Sequence, residues 1–147
     1  MSVSAAACHR SASITVTTDG PGFYRLGAEL SAGLQEMGAK NGLLNLFCTH
    51  TSASLCIQEN ADPTVLADLA DALNRLAPQG ARYRHDAEGP DDMPAHIKTL
   101  LTATSLSLPV RDGRVALGVW QEIYLVEHRR ARHRRRLEVD FVGLAKS

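Results

Sequence analysis

Three of the six histidines stand beside turn or cap residues instead of inside an apolar period. His50 closes an apolar stretch and is followed by Thr51 and Ser52. His85 lies in Tyr83-Arg84-His85-Asp86, and His96 ends the run Asp91-Asp92-Met93-Pro94-Ala95-His96. Three imidazoles from separate elements can share one Zn²⁺ and leave a fourth position for water or substrate. Asp92 precedes His96 by four residues, so on a helix the two share a face and the carboxylate can orient the ring. The same carboxylate could instead cap the helix N-terminus. Glu88, Asp91 and Asp92 place three carboxylates within five residues. Such groups repel one another unless they are solvated, raised in pKa or bound to a cation.

Residues 128–136 hold six arginines and no acid. The run reads either as a solvated turn or strand end or as a phosphate or nucleic-acid patch, since guanidinium grips phosphate bidentately. On a strand, Arg132, Arg134 and Arg136 share one face and Arg135 takes the other. No aromatic residue interrupts the run, so base stacking is not expected. Gly33 to Lys40 is a faint likeness of a phosphate loop, but its lysine comes one place late and it sits at a helix end.

These groups belong to a chain of 147 residues, 44% hydrophobic and 22% charged. That is the size of one domain, and the reading takes 1–147 as a single unit with residues 1–10 frayed. Sixteen Lys and Arg balance sixteen Asp and Glu. Bulk positive charge is thereby excluded as a route to nucleic acid, which is not an expected partner. Three cysteines are too few for a disulfide framework and point to a reducing, cytoplasmic setting. No apolar run approaches the ~20 residues of a membrane span, and no leader pattern opens the chain.

The elements that must position the candidates follow from periodicity. Ser13 to Thr17 alternates like a half-buried strand, and Asp19-Gly20-Pro21-Gly22 stops it. Leu26, Leu30, Leu34 and Met37 have helical spacing, with Gly38 as terminator. Leu43–Thr49 and Ala53–Gln58 read as a hairpin around His50-Thr51-Ser52. Asp62 as N-cap and Pro63 at the first turn open a helix whose stripe is Leu66, Leu69, Leu73 and Leu76, with Asp71 and Arg75 paired on its other face. A short helix passes through Pro94, His96, Ile97 and Leu100, capped by Asp91 or Asp92. The last third reads as a β meander. Leu106–Val110 comes first, then a turn at Arg111-Asp112-Gly113-Arg114, then Val115–Glu127 with a bend at Gly118. A final strand carries Leu137, Val139 and Phe141 on one face. Trp120 is expected in the core, and Gln121 needs a polar partner. The fold class is α+β: one compact domain of packed, mostly antiparallel sheet with about three helices.

Several blocks together resemble a known family. They are His50-Thr51-Ser52-Ala53-Ser54-Leu55, Gln58-Glu59-Asn60-Ala61-Asp62-Pro63, Tyr83-Arg84-His85, Glu88 through Lys98, and Leu106 through Gln121. The chain is similar, from about Ser13 to Gly143, to the YjbQ-like family of secondary thiamine-phosphate synthases. The resemblance implies a homotrimer, a metal held by His50, His85 and His96, and a secondary transferase activity. That activity joins hydroxymethylpyrimidine diphosphate to a thiazole phosphate, so the expected partner is a small phosphorylated metabolite. Glu88 is the expected proton-handling or ligand-orienting group, with Lys98 or an arginine of the run neutralising departing phosphate. Gln121 is a further catalytic candidate, and Thr51, Ser52, Asp91, Asp92 and Arg134 are the substrate-binding candidates. Imidazole ligands suit Zn²⁺, whereas a diphosphate leaving group suits Mg²⁺ held by carboxylates. A hydrolase using a Zn-bound water and a non-catalytic phosphate-binding trimer are the alternatives. The chain departs from the family at Gly118-Val119-Trp120-Gln121-Glu122, where Val119 and Glu122 replace a threonine and a glycine.

Overall fold

The computed structural model describes residues 7–147. Among these residues eight strands, all antiparallel, form two sheets, and three helices accompany them. In order they are β1 (Cys8–Asp19), β2 (Gly22–Arg25), α1 (Gly27–Glu36), β3 (Ala39–Cys48), β4 (Ala53–Glu59) and α2 (Pro63–Leu76). Then come α3 (Asp92–Leu101), β5 (Ser105–Arg111), β6 (Arg114–Val115), β7 (Gln121–Glu127) and β8 (Arg132–Ala145). One sheet has the order β1-β8-β3-β5-β6 and the other β2-β7-β4. No helix among the described residues is long and apolar enough to cross a membrane.

The core fills from both sheets. Leu44, Leu46, Leu108, Leu137 and Phe141 project from the first, Leu55, Ile123 and Leu125 from the second, and α1 adds Leu30 and Leu34. The alternation in β8 is therefore realised: Leu137, Val139 and Phe141 are buried while Arg132, Arg134 and Arg136 face out. Gly42 and Gly143 pair where β3 meets β8. A Cβ on either glycine would lie 2.3 or 2.2 Å from a facing carbonyl, so the strands can approach only without side chains there. Asp112 and Gly113 adopt φ of 50° and 78°, the mirror-image turn that suits a two-residue hairpin. Asp62 caps α2 as expected, its Oδ1 accepting the Thr64 N–H at 2.9 Å.

The sheet assignment corrects several readings. Leu43–Thr49 and Ala53–Gln58 do not form a hairpin: β3 lies in the larger sheet and β4 in the smaller, and the His50-Thr51-Ser52 bend carries the chain across. The last third is not a meander for the same reason, since β7 pairs with β2 and β4 while β8 pairs with β1 and β3. Trp120 is 63% exposed instead of buried, because the chain leaves the sheet after the two-residue β6. Asn60 holds that loop through the carbonyls of Val119 at 2.9 Å and Trp120 at 3.1 Å, leaving the indole outside. Asp71 and Arg75 form no ion pair, and α2 buries none of its residues completely. Of the residues expected to fray, 1–6 lie outside the described residues and Cys8–Arg10 are ordinary parts of β1.

Three crossings between the sheets meet at one end: Gly20–Pro21, His50–Ser52 and His128–Ala131. The Ser52 carbonyl accepts the His128 N–H at 3.3 Å and the Arg135 guanidinium at 3.2 Å, which ties two of them together. This junction sets the position of Arg129 and Arg130 over the start of α3.

Candidate metal centre

Asp91 occupies the N-cap position of α3 and Asp92 its first turn, yet neither carboxylate is used as a cap. Asp91 Oδ2 accepts the Arg129 Nε–H at 3.1 Å and the Arg130 backbone N–H at 2.9 Å. Asp92 Oδ1 accepts Arg129 Nη1–H at 2.5 Å, and Arg129 Nη2 donates to the Glu88 carbonyl at 3.1 Å. One guanidinium thus ties the loop, the helix start and the sheet crossing together. It also neutralises the carboxylate repulsion that the sequence posed as a problem.

The remaining oxygen of Asp92 faces the histidines. Oδ2 is 2.6 Å from His85 Nε2 and 3.2 Å from His96 Nε2. The i,i+4 relation on α3 therefore does bring Asp92 and His96 together. His85 Nε2 also lies 3.1 Å from Glu88 Oε2. The three ligand atoms of His85, Asp92 and His96 all fall within 4.8 Å of one another. Asp92 is buried, His96 partly so, and the His85 side chain is 46% exposed. A cavity of about 600 Å³ opens beside His85, lined also by Arg82, Tyr83, Asp86, Pro90 and Met93.

Electrostatics follow from this geometry. The hydrogen bond to Asp92 holds the His85 imidazole above its ordinary pKa. Burial pushes the Asp92 carboxyl up, but its hydrogen bonds and the Arg129 charge outweigh that and leave it below the usual range. Asp91 is lowered likewise, burial being overcome by Arg130 N–H and Arg129. Bonds of 2.0–2.1 Å to a tetrahedral cation put ligand atoms roughly 3.3 Å apart. The 3.2 Å spacing of Asp92 and His96 matches this. The 2.6 Å contact to His85 holds a proton where a cation would sit. Two imidazoles and a carboxylate are a donor set for a borderline first-row cation.

Other candidates lie elsewhere. His50 does not join the cluster: its Nε2 accepts the Arg136 backbone N–H at 2.7 Å, which pins the ring to β8 at the sheet crossing. Burial and then the Arg135 charge lower its pKa. The Thr51 hydroxyl is exposed, and Ser52 Oγ receives Arg135 at 3.0 Å. Arg134 faces outward from β8 opposite Thr17. Gln121 Oε1 accepts the Gly118 N–H at 2.7 Å and shapes its own loop. Glu122 lies 3.7 Å from Arg25 and packs against Gly27 at the start of α1, while Val119 is exposed. Lys98 donates to Asn74 Oδ1 at 2.7 Å and lines a different cavity, because two residues along a helix turn it away from His96.

Sequence reasoning missed Arg129 as the organiser of the cluster. Its only signal was membership of the arginine run. It also missed the buried trio of Thr18, Glu127 and Arg135, in which Glu127 receives Arg135 at 2.7 and 2.5 Å and Thr18 at 2.6 Å.

The two-sheet fold is shared with known proteins. Residues 10–144 match the family model described as UPF0047 protein YjbQ-like. A UPF0047 protein of Synechocystis sp. is 47% identical over 131 residues, covering 88% of this chain and 89% of its own. The UPF0047 protein YjbQ of Salmonella typhimurium is 47% identical over 117 residues, or 79% and 85% of the two chains. The crystal structure of a conserved hypothetical protein from Thermus thermophilus superposes with a TM-score of 0.78 at 36% identity, covering 87% of this chain and 97% of that one. A hypothetical protein from Aeropyrum pernix gives 0.83 at 27% identity, covering 91% and 98%. The chain belongs to the YjbQ-like UPF0047 family.

Proposed function

We propose that this chain is a metal-dependent enzyme acting on a small phosphorylated metabolite, with a divalent cation held by His85, Asp92 and His96. The observation that carries the reading is the convergence of those three ligand atoms, one of whose residues, His85, also lines a cavity of about 600 Å³. When bound, the cation would supply Lewis-acid polarisation to a substrate oxygen. Arg129 fixes the Asp92 carboxylate, and Glu88 stands where it can take the proton that His85 must release. Arg82 at the cavity wall offers a guanidinium to phosphate. The cluster contributes one carboxylate oxygen, so Zn²⁺ or a similar borderline ion suits it better than Mg²⁺.

The family resemblance adds the reaction. The C–O bond from the pyrimidine methylene to diphosphate breaks, diphosphate leaves, and the thiazole nitrogen forms the new C–N bond. A hydrolase reading draws support from the open side of His85, which leaves room for a water on a bound ion. For the homotrimer, the support is the uncovered outer face of the larger sheet, where Leu43 and Val142 pair and are each 54% exposed. Light scattering on the purified chain measures that mass directly. Three free thiols accord with a cytoplasmic location.

Elemental analysis of the purified full chain tests the cluster. Wild type and His50→Ala should carry near-stoichiometric metal, and His96→Ala and Asp92→Asn should lose it. Thiamine-phosphate formation should follow the metal. Metal that survives His96→Ala, or that disappears in His50→Ala alone, overturns the assignment.

A further inference from the structure

Residues 78–90 join α2 to α3 without a helix or strand, and all of them except Tyr83 and Gly89 are exposed. Two arginines pin the ends of this stretch. Arg130 donates to Gln79 Oε1 at one end, and Arg129 Nη2 donates to the Glu88 carbonyl at 3.1 Å at the other. Between these pins, no backbone group of 80–87 bonds to another backbone group among the described residues. The Tyr83 hydroxyl donates to the Pro78 carbonyl at 2.8 Å, a tie within the loop itself. The polar tie from 80–87 to an element outside the loop is His85, whose Nε2 lies 2.6 Å from Asp92 Oδ2 on α3. The His85 ring also stands edge-on to His96, with centroids 5.4 Å apart.

A segment held this way opens at low free energy, because few hydrogen bonds and little buried area have to be broken. Glycines with positive φ bound it, Gly80 at 84° and Gly89 at 101°, and a Cβ at Gly80 would meet nothing within 4 Å. That end of the loop has space in which to turn. The cavity of about 600 Å³ beside His85 is built by this same segment: among the described residues that wall it, only Met93 comes from outside 80–90. Moving the segment removes the cavity and carries His85 away from Asp92 and His96.

We propose that residues 80–87 are a lid with one latch, His85 on Asp92, and that the cluster and its cavity exist together only while the lid is shut. A cation shared by His85, Asp92 and His96 takes the place of the latch proton and clamps the lid, a step that rests on the reading of the cluster as a metal centre. Such a lid admits a ligand when open, then completes the site and excludes water when shut.

Limited trypsin digestion of the metal-free full chain, read by mass spectrometry, tests the latch. Arg82 and Arg84 lie inside the lid, so cuts after them should come ahead of cuts at Arg75 in α2 and at any arginine within a strand. Cleavage tracks the open population when opening and closing are fast. His85→Ala should therefore speed the two lid cuts about ten- to a hundredfold, the worth of one charge-assisted hydrogen bond, and leave the sites in α2 and the strands at their wild-type rates. Zn²⁺ at many times its Kd should slow the lid cuts of wild type about tenfold or more relative to those other sites, and leave His85→Ala unprotected. Three outcomes overturn the proposal: wild-type cuts in α2 or a strand ahead of the lid, lid cuts no faster in His85→Ala, or lid cuts as fast in wild type that carries stoichiometric Zn²⁺. The first of these is read on wild type alone. A chain that takes up no Zn²⁺ sinks the metal reading instead, and the metal-free comparison still decides the latch.

Discussion

Two arginine–carboxylate assemblies sit on either side of the same sheet crossing, and they have opposite characters. In one, Glu127 and Arg135 are buried at 1% and 4% exposure, and every Glu127 oxygen is engaged by Arg135, Thr18 or a backbone N–H. In the other, Arg129 engages Asp91 and one oxygen of Asp92, and the second Asp92 oxygen is turned toward two imidazoles at an open cavity. The same residue types build a closed joint in the first case and a chemical site in the second. What separates them is whether the last acceptor is satisfied from within the fold or left toward a histidine pair. The adjoining histidines titrate in opposite senses as well: His128 is lowered by burial and His85 is raised by its carboxylate.

The largest expected effect breaks the closed joint. Glu127→Ala leaves the Arg135 guanidinium buried without a counterion and should cost about 3–5 kcal/mol in urea unfolding. If the loss stays below about 1 kcal/mol, the range of exposed ion pairs, Arg135 reaches solvent and the joint is not closed. Asp92→Asn should be much milder in the same assay, because Asp92 lies beside solvent-accessible groups.

Next comes pH. The folded His128 titrates near 4 against an ordinary 6.5, so the unfolded chain binds the extra proton in between. Stability is therefore full above pH 6.5 and falls as pH drops toward 4, by about 3 kcal/mol from this residue. His85 runs the other way: its contribution is complete below the ordinary imidazole value and fades as pH rises through its raised pKa. Denaturant melts between pH 6.5 and 5 should slope for wild type and flatten in His128→Gln. An unchanged slope in the variant removes His128 as the source.

Smaller effects sharpen the open side. Arg129→Ala should weaken metal binding about 10–100-fold by releasing Asp92, measured by competition with a chelating dye. Because the cation must displace the His85 proton, affinity should also climb with pH, with proton release seen in buffers of different ionisation heat. Smallest of all, Arg134→Ala should change stability by no more than about 0.5 kcal/mol and leave metal content untouched. A larger effect would mean that the outer face of β8 is covered in solution.

Much of the local structure was legible from residues a few places apart. Asp62-Pro63 marks the start of α2, the Asp112-Gly113 turn is visible as such, and the alternation from Arg132 to Phe141 assigns both faces of β8. The pairing of Asp92 with His96 needed only the helical repeat. His50 shows where that reasoning stops. Its neighbours place it at a strand end, but its partner is a backbone N–H 86 residues away on β8. Lys98 shows the same limit: the sequence puts it next to His96, while the packing of α3 against α2 turns it to Asn74.

The Asp62 cap, the Asp112-Gly113 turn and the alternating faces of β8 are settled by steric and hydrogen-bonding rules that act over one to four consecutive residues, and there the order of amino acids was enough; the start of α3, where Arg129 takes Asp91 and Asp92 away from capping, was not. The choice of sheet for each strand, the exposure of Trp120, and the meeting of Arg129 with Asp91 and Asp92 were decided by the folded whole. A strand's own pattern says which side is apolar but not which distant strand will bury it. Long-range pairing is selected by the total burial it permits, and the site is assembled by that selection.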